Sequence, residues 1–201
     1  MNPSLSLVPS KIVCVGRNYV EHINELGNQI ADQMVVFNKP NTAISSQLSS
    51  EHNGEPLHFE TEICFKVQHG RLAAVGVGLD LTKRDLQSKL KAKGLPWERA
   101  KAFDGSALFS HFVAIEQDDI AKLKISLSIN NQLQQQGDVG LMLYKPADIL
   151  TQINEFMTLN DGDIIMTGTP AGVGKVIAGD VFKAHLLCAE QSLIEVSWQA
   201  V

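Results

Sequence analysis

The chain has 201 residues and a net charge of −5, and 44% of its residues are hydrophobic. These totals are typical of a soluble globular protein with a sizeable core, and the acidic balance argues against nucleic acid or an anionic membrane surface as a partner. No apolar run reaches the length of a membrane span, and the N-terminal stretch lacks the features of a signal peptide.

Short strands dominate the secondary structure that the apolar pattern predicts. The predicted strands are 11–16, 33–37, 58–67, 72–79, 123–129, 163–167, 181–187 and 191–198. Apolar residues alternate over 123–129 and Asn130-Asn131 follows, which predicts a hairpin over 123–136.

Two helices are predicted at 18–26 and 82–93. Each begins at a residue that can cap a helix, Asn18 in the first and Thr82 in the second, and an acidic residue follows three positions later. This spacing is that of a capping box. Glycine then provides a stop for both helices.

A third helix is predicted at 146–157. Pro146 occupies its first turn, where a missing N–H costs nothing. Ile149, Ile153 and Phe156 fall on one side of the helix, which predicts that this side is buried.

The helices do not alternate regularly with the strands, so we expect an α+β, mostly β domain rather than a doubly wound sheet. There is no internal repeat and no linker composition, which predicts a single domain over 1–201. The three cysteines have no zinc-ligand spacing, and we expect free thiols in a reducing cytoplasm.

Two acidic residues lie on the same face of the predicted strand 58–67. Glu60 and Glu62 are two positions apart, and on this stretch alone a solvated sheet face is the favoured interpretation. A third acid, Asp80, follows strand 72–79, whose apolar sequence predicts burial on both faces. Three carboxylates without a Cys or His cluster would suit Mg²⁺ or Mn²⁺, although helix capping alone explains Asp80 equally well.

Three further polar residues are candidates for catalysis. His22 and Glu25 are three apart on a predicted helix, and a carboxylate partner orients an imidazole for general base catalysis. An exposed pair with no role is the simpler interpretation. Lys101 lies between Trp97 and Phe103, where its ammonium either reaches solvent or stays buried and faces an anionic substrate.

The glycine-rich stretch 162–176 does not satisfy the P-loop pattern. Five residues rather than four separate Gly168 from Gly174-Lys175, and neither Ser nor Thr follows. Its backbone N–H groups, with the hydroxyls of Thr167 and Thr169, could hold a carboxylate, or its glycines serve only a tight turn.

Six stretches, in their order along the chain, resemble the fumarylacetoacetate hydrolase family. They are VGRNYVEHINELGN, FNKPNTAI, HFETE, GLDLTKRDLQ, KGLPWERAKAFD and DGDIIMTGTPAGVG. The fourth and fifth are most similar to the small acylpyruvate hydrolases that also decarboxylate oxaloacetate. The resemblance implies the layered, mostly β, barrel-like domain of this family, usually as a homodimer.

The resemblance also implies a metal centre. The acidic triad that holds a divalent metal, usually Mg²⁺ or Mn²⁺, matches Glu60, Glu62 and Asp80. Lys101 matches the lysine near the metal that faces the substrate.

Further roles follow from the resemblance in the same way. His22 and Glu25 match the dyad that activates water. Arg17, Gln87 and Thr169 match positions that line the substrate pocket.

The activity that the resemblance implies is metal-dependent hydrolysis of a carbon–carbon bond in a 3-acylpyruvate or a related 2,4-dioxo acid. The alternatives are oxaloacetate decarboxylation or tautomerisation, or isomerisation of a keto diacid. A catalytically silent metal-binding dimer is a third hypothesis. Retention of the His22–Glu25 dyad favours hydrolysis, because isomerising relatives often lack it.

One segment departs from the family pattern. The stretch between Glu62 and Asp80 is shorter than in relatives, which usually carry an extra crossover there. The metal ligands are retained, so we expect the change to affect the pocket rim or a dimer contact.

Overall fold

A computed structural model describes residues 8–201 of the chain. Its strands are β1 Lys11–Gly16, β2 Val35–Pro40, β3 Glu51–His52, β4 Glu55–Pro56, β5 His58–Phe59, β6 Thr61–Gln68, β7 Arg71–Asp80, β8 Ala107–Phe109, β9 Val113–Ala114, β10 Leu123–Ile129, β11 Gln132–Asp138, β12 Ile164–Met166, β13 Gly174–Lys175, β14 Val181–Cys188 and β15 Gln191–Gln199. Its helices are α1 Val20–Glu25, α2 Arg84–Ala92, α3 Glu98–Lys101 and α4 Pro146–Asn154. The expected α+β, mostly β class is confirmed.

Two larger sheets form the frame of the molecule. One runs in the order β2-β1-β12-β6-β7-β8, with β9 also paired to β7, and the other in the order β11-β10-β14-β15. The main apolar core includes side chains of both sheets. Phe59, on β5, and Phe182, on β14, meet edge to face with ring centroids 5.2 Å apart, so aromatic packing joins the short β5–β13 sheet to the second of the larger sheets.

The short segment between the predicted metal ligands is a direct β-hairpin. Strands β6 and β7 pair antiparallel along their length, and the turn residues His69 and Gly70 both have positive φ. The Asp80 N–H donates to the Glu60 carbonyl at 2.8 Å. The hairpin therefore places Asp80 directly beside Glu60 although they are far apart in sequence.

The predicted strands lie close to their observed positions, with two differences. The strand expected at 33–37 is β2, which begins and ends later. The strand expected at 58–67 is interrupted at Glu60, between β5 and β6. The hairpin over 123–136 is confirmed, and both turn residues, Asn130 and Asn131, adopt positive φ.

The capping predictions for the first two helices are wrong. No side chain caps α1 or α2. The Asn18 amide instead donates to the Tyr144 and Thr167 carbonyls, and the Thr82 hydroxyl accepts a hydrogen bond from Lys101. A local sequence pattern cannot predict hydrogen bonds to groups far along the chain. These two side chains form such bonds and therefore do not cap the helices.

The third predicted helix begins where it was expected but ends earlier. Pro146 opens α4, and Ile149 and Ile153 are fully buried. Phe156 lies beyond the last helical residue, and 62% of it is exposed. Within residues 8–201 no helix combines the length and apolar character needed to cross a bilayer.

Candidate functional site

Three buried carboxylates converge at one end of the β6–β7 hairpin. Glu60 lies in the break before β6, Glu62 lies on β6, and Asp80 ends β7. One oxygen from each residue lies within 4.8 Å of the others. The solvated-face interpretation of Glu60 and Glu62 is therefore wrong, and capping alone does not describe Asp80. Residues 61–67 of β6 are all buried, so neither face of this strand meets bulk water, and Glu60 just before it is only 6% exposed.

Lys101 is a buried cation that pairs with two of these three carboxylates. Its ammonium donates to Glu60 Oε2 at 2.9 Å, to Asp80 Oδ2 at 2.7 Å and to Thr82 Oγ1 at 2.6 Å. Only 2% of the residue is exposed, so Lys101 does not extend to solvent. All three ammonium protons have acceptors, which makes this lysine a fixed positive charge.

Arg84, at the start of α2, binds the other oxygen of Glu60. Its guanidinium also donates to Gln87 Oε1 at 3.0 Å. The first turn of α2 therefore links the carboxylate cluster to a side chain that lines the same cleft.

The electrostatic environment shifts the pKa values of Glu60 and Glu62 in opposite directions. Burial raises the pKa of Glu60, but the nearby cations of Lys101 and Arg84 outweigh it and hold that pKa well below its usual range. Burial, followed by repulsion from Asp80 and Glu60, raises the pKa of Glu62 well above its usual range. Burial lowers the pKa of Lys101, but the charges of Asp80 and Glu60 leave it raised overall.

The donor set fits a divalent metal. The oxygens are carboxylates, which are the ligands that Mg²⁺ and Mn²⁺ prefer. Asp80 Oδ1 is buried without a hydrogen-bond donor, although the Lys39 ammonium lies 2.9 Å away as an ion pair. A cation bound here would also relieve the mutual repulsion that raises the pKa of Glu62.

His22 and Glu25 form a pair on α1. His22 Nδ1 lies 3.1 Å from Glu25 Oε2, and His22 is 6% exposed. Glu25 Oε1 accepts a hydrogen bond from the Gly172 backbone N–H at 3.0 Å. The histidine is thus buried and oriented, which contradicts the interpretation as an exposed pair.

The glycine-rich loop does hold a carboxylate, and that carboxylate belongs to the protein itself. The Gly168 N–H donates to Glu62 Oε2 at 2.6 Å. The hydroxyls of Thr167 and Thr169 donate to the carbonyls of Ile63 and Thr61. The loop therefore fixes strand β6 and its acidic side chain.

All the residues with a predicted substrate role lie around one cleft. Arg17, Gln87 and Thr169 line it together with the acidic cluster, Lys101 and His22. The Thr169 hydroxyl donates to the Thr61 carbonyl and accepts a hydrogen bond from the Gln135 side chain. Arg17 adopts a positive φ of 57° and its buried Nε has no hydrogen-bond partner.

Two cations that pair with the acidic cluster, Lys39 and Arg84, were not assigned from the sequence. Lys39 is fully buried and contacts Asp80 together with the carbonyls of Leu81 and Lys101. Arg84 binds Glu60. Both lie in stretches that carry the family resemblance, FNKP and LTKRD, but no spacing rule distinguishes a buried lysine or arginine from an exposed one.

Comparison with known proteins shows the family to which this chain is similar. Residues 11–196 match the family described as fumarylacetoacetate (FAA) hydrolase C-terminal. The oxaloacetate tautomerase YcgM of Escherichia coli is 38% identical over 198 residues, covering 89% of this chain and 90% of that protein. The human mitochondrial oxaloacetate tautomerase FAHD1 is 37% identical over 190 residues, covering 87% of this chain and 86% of that protein.

A solved structure of the same family has a similar fold. Fumarylpyruvate hydrolase from Pseudomonas aeruginosa, crystallised with Mn²⁺ and pyruvate, is 28% identical with a TM-score of 0.84. The match covers 95% of this chain and 89% of that chain.

Proposed function

Since this chain belongs to the fumarylacetoacetate hydrolase family, we propose that it is a divalent-metal-dependent enzyme that tautomerises oxaloacetate. The observation that carries the proposal is the buried cluster of Glu60, Glu62 and Asp80, two of which pair with the Lys101 ammonium. The names of the similar proteins support oxaloacetate chemistry over acylpyruvate hydrolysis as the main reaction. We also propose that residues 1–201 form one catalytic domain that works as a homodimer.

The acidic cluster is the proposed site of Mg²⁺ or Mn²⁺. Glu60, Glu62 and Asp80 would hold the ion, which when bound acts as a Lewis acid toward the keto acid. Gly168 orients Glu62 through its N–H, and Lys101 orients Glu60 and Asp80. The chain thus holds its own ligands in place before a metal arrives.

His22 is the proposed group for proton transfer. Glu25 engages Nδ1, which leaves Nε2 as the ring nitrogen that can exchange a proton. In the ketone-to-enol direction, Nε2 takes a proton from C3 of oxaloacetate. The protonated His22 then delivers this same proton to the C2 oxygen, so the product is an isomer and no water is consumed.

Lys101 is the proposed stabiliser of negative charge at the C2 oxygen. It is a buried ammonium whose neighbouring carboxylates, Asp80 and Glu60, keep its pKa raised despite burial. A fixed charge in a water-poor cleft stabilises a developing enolate without having to reorganise.

Hydrolysis of an acylpyruvate is a second candidate function that the His22–Glu25 pair specifically favours. The same base would take a proton from water, hydroxide would add to the distal carbonyl, and the carbon–carbon bond would break. Pyruvate would leave as its enolate and the acyl part as a carboxylic acid. The name of the Pseudomonas structure supports this alternative.

The proposal is tested by following enol absorbance on purified, metal-stripped protein, with and without Mg²⁺. Oxaloacetate and acetylpyruvate are run in parallel. We expect Mg²⁺-dependent acceleration of oxaloacetate tautomerisation, and a loss of about 100-fold or more in His22→Gln, which removes the base. The matched control is His69→Gln, since His69 also lies beside a carboxylate but its side chain is 81% exposed.

Three results would contradict the proposal. Wild-type rates in His22→Gln would remove His22 from proton transfer. Metal-dependent cleavage of acetylpyruvate without any effect on oxaloacetate would make hydrolysis the main function. Inactivity on both substrates would favour the silent binding module.

A further inference from the structure

Two cations at the outer part of the cleft converge on a single neutral oxygen. Arg17 Nη2 lies 3.3 Å and Lys91 Nζ lies 3.5 Å from Asn28 Oδ1. The Lys91 ammonium also lies over the Trp97 ring, 5.0 Å from its centroid. Arg17, Asn28, Lys91 and Trp97 all line the same cleft as the acidic cluster.

These two cations differ from the other cations of the cleft in their partners. Lys101 and Arg84 are each paired with a carboxylate. Within residues 8–201 no carboxylate lies at ion-pair distance from Arg17 or Lys91. Arg17 Nε is also buried without a hydrogen-bond partner, which is costly unless a ligand satisfies it.

Three cations, Arg17, Arg84 and Lys101, repel the Lys91 ammonium, and Glu60 attracts it. Partial burial, then repulsion by Arg17, Arg84 and Lys101, lowers the pKa of Lys91 to about 8. The lysine still carries its charge over most of its population at pH 7. An anion bound between Lys91 and Arg17 would offset this repulsion.

We propose that Arg17 and Lys91 form a carboxylate subsite that binds the distal carboxylate of a keto diacid. The inference rests on the proposed function, because the keto acid end of the substrate must lie toward the acidic cluster. The distal carboxylate takes the place of Asn28 Oδ1 between the guanidinium and the ammonium. The aromatic face of Trp97 holds the ammonium in position.

The subsite makes the enzyme selective for dicarboxylic keto acids. Oxaloacetate carries a second carboxylate and gains the contact. Acetylpyruvate ends in a methyl group and gains nothing from two cations, while it leaves them unpaired. The substrate preference therefore comes from Arg17 and Lys91 and not from the metal centre.

The first test compares steady-state kinetics of Lys91→Met, Lys91→Arg and the control Lys89→Met, whose lysine is exposed on the same helix. Lys91→Met should raise KM for oxaloacetate about tenfold with little change in kcat. Its KM for acetylpyruvate should stay at the wild-type value. Lys91→Arg should keep most of the selectivity, and Lys89→Met all of it. Equal changes for both substrates in Lys91→Met would overturn the subsite.

A binding measurement separates this inference from the proposed reaction. Calorimetric titration of Mn²⁺-loaded protein uses 3,3-difluoro-oxaloacetate, which cannot enolise, and pyruvate, which lacks the distal carboxylate. Lys91→Met should weaken binding of the diacid about tenfold and leave pyruvate binding unchanged. This result would support the subsite even if oxaloacetate is not turned over. Equal affinity of wild type and Lys91→Met for the diacid would overturn it.

Discussion

Gly168 combines a backbone requirement with a role in orienting a metal ligand. Its φ is +97°, a region that residues with a side chain rarely adopt. A Cβ at this position would lie 2.8 Å from the Asn18 Cβ and 3.1 Å from the Val15 carbonyl oxygen. The same residue donates the hydrogen bond to Glu62 Oε2. The glycine is therefore needed both for the turn and for the position of the carboxylate.

Replacing Gly168 by Ala should destabilise the protein by about 3 kcal/mol, since backbone strain and steric overlap both contribute. Mn²⁺ affinity should also fall about tenfold, because the N–H that orients Glu62 would move. Urea denaturation and metal titration measure the two effects. Gly179→Ala is the control: φ is +92° there, but nothing lies within 4 Å of the added Cβ.

The control should lose stability by only about 1 to 2 kcal/mol and retain its metal affinity. If Gly168→Ala has the same metal affinity as the wild type, the Gly168 hydrogen bond does not position Glu62.

Residue roles could be predicted from the sequence only where a family pattern specified them. Periodicity placed Glu60 and Glu62 on one face, but on that basis alone a solvated face was favoured. The groups that bind these carboxylates lie tens of residues away along the chain: Lys101 and Arg84 bind Glu60, and the Gly168 N–H binds Glu62. Lys39 was missed for the same reason, since no local signal reveals that a lysine is fully buried.

At the scale of elements, Asp163 joins the start of β1 to the turn before β12. It accepts hydrogen bonds from the Ser10 N–H and hydroxyl, from the Lys11 N–H and from the Asn160 N–H, and it pairs with the Lys11 ammonium. Its side chain is fully buried. One carboxylate therefore ties the start of β1 to the turn before β12, next to the parallel ladder that joins the two strands.

The Asp163 carboxylate should make stability depend on pH. Burial raises its pKa, but the hydrogen bonds from Lys11, Ser10 and Asn160 outweigh burial and leave the pKa lowered. A lowered pKa in the folded state gives stability that is present above the unfolded value of about 3.9 and is lost as pH falls through the folded value. Asp163→Asn should therefore cost about 2 to 3 kcal/mol at pH 7 and less below about pH 4.

Urea denaturation over a pH series measures this difference in free energy of unfolding. The exposed Asp104→Asn serves as control and should match the wild type at each pH. A cost for Asp163→Asn that stays constant down to pH 3 would contradict a contribution from the charged carboxylate.

The sequence predicts helices and strands well where the signal is local. It predicts them less well where a hydrogen-bond partner far along the chain determines the role of a side chain. The hairpin of β10 and β11 follows from alternation and Asn130-Asn131, both of which the structure uses. The caps proposed at Asn18 and Thr82 failed because those side chains bind distant groups. The short helix α3 was not predicted, since four residues carry no periodicity.

At the scale of the whole molecule, the second sheet braces the site formed by the first. Gln135, on β11, accepts a hydrogen bond from the Thr61 N–H at 3.0 Å and donates to Thr169 Oγ1 at 2.8 Å. It thereby links β6 to the glycine-rich loop from the side of the smaller sheet. Such a bridge over 74 residues could not be predicted from one sequence, although the resemblance predicted the layered fold that makes it possible.

The central claim is that Glu60, Glu62 and Asp80 bind a divalent metal, and calorimetric titration of Mn²⁺ into metal-stripped protein tests it most directly. The wild type should bind one ion per chain. Glu62→Gln keeps the shape of the side chain but removes its charge, and it should lose at least about 100-fold in affinity. The control Glu190→Gln, on a carboxylate that is 89% exposed, should bind like the wild type. Absence of binding by the wild type, or equal affinity in Glu62→Gln, would contradict the account.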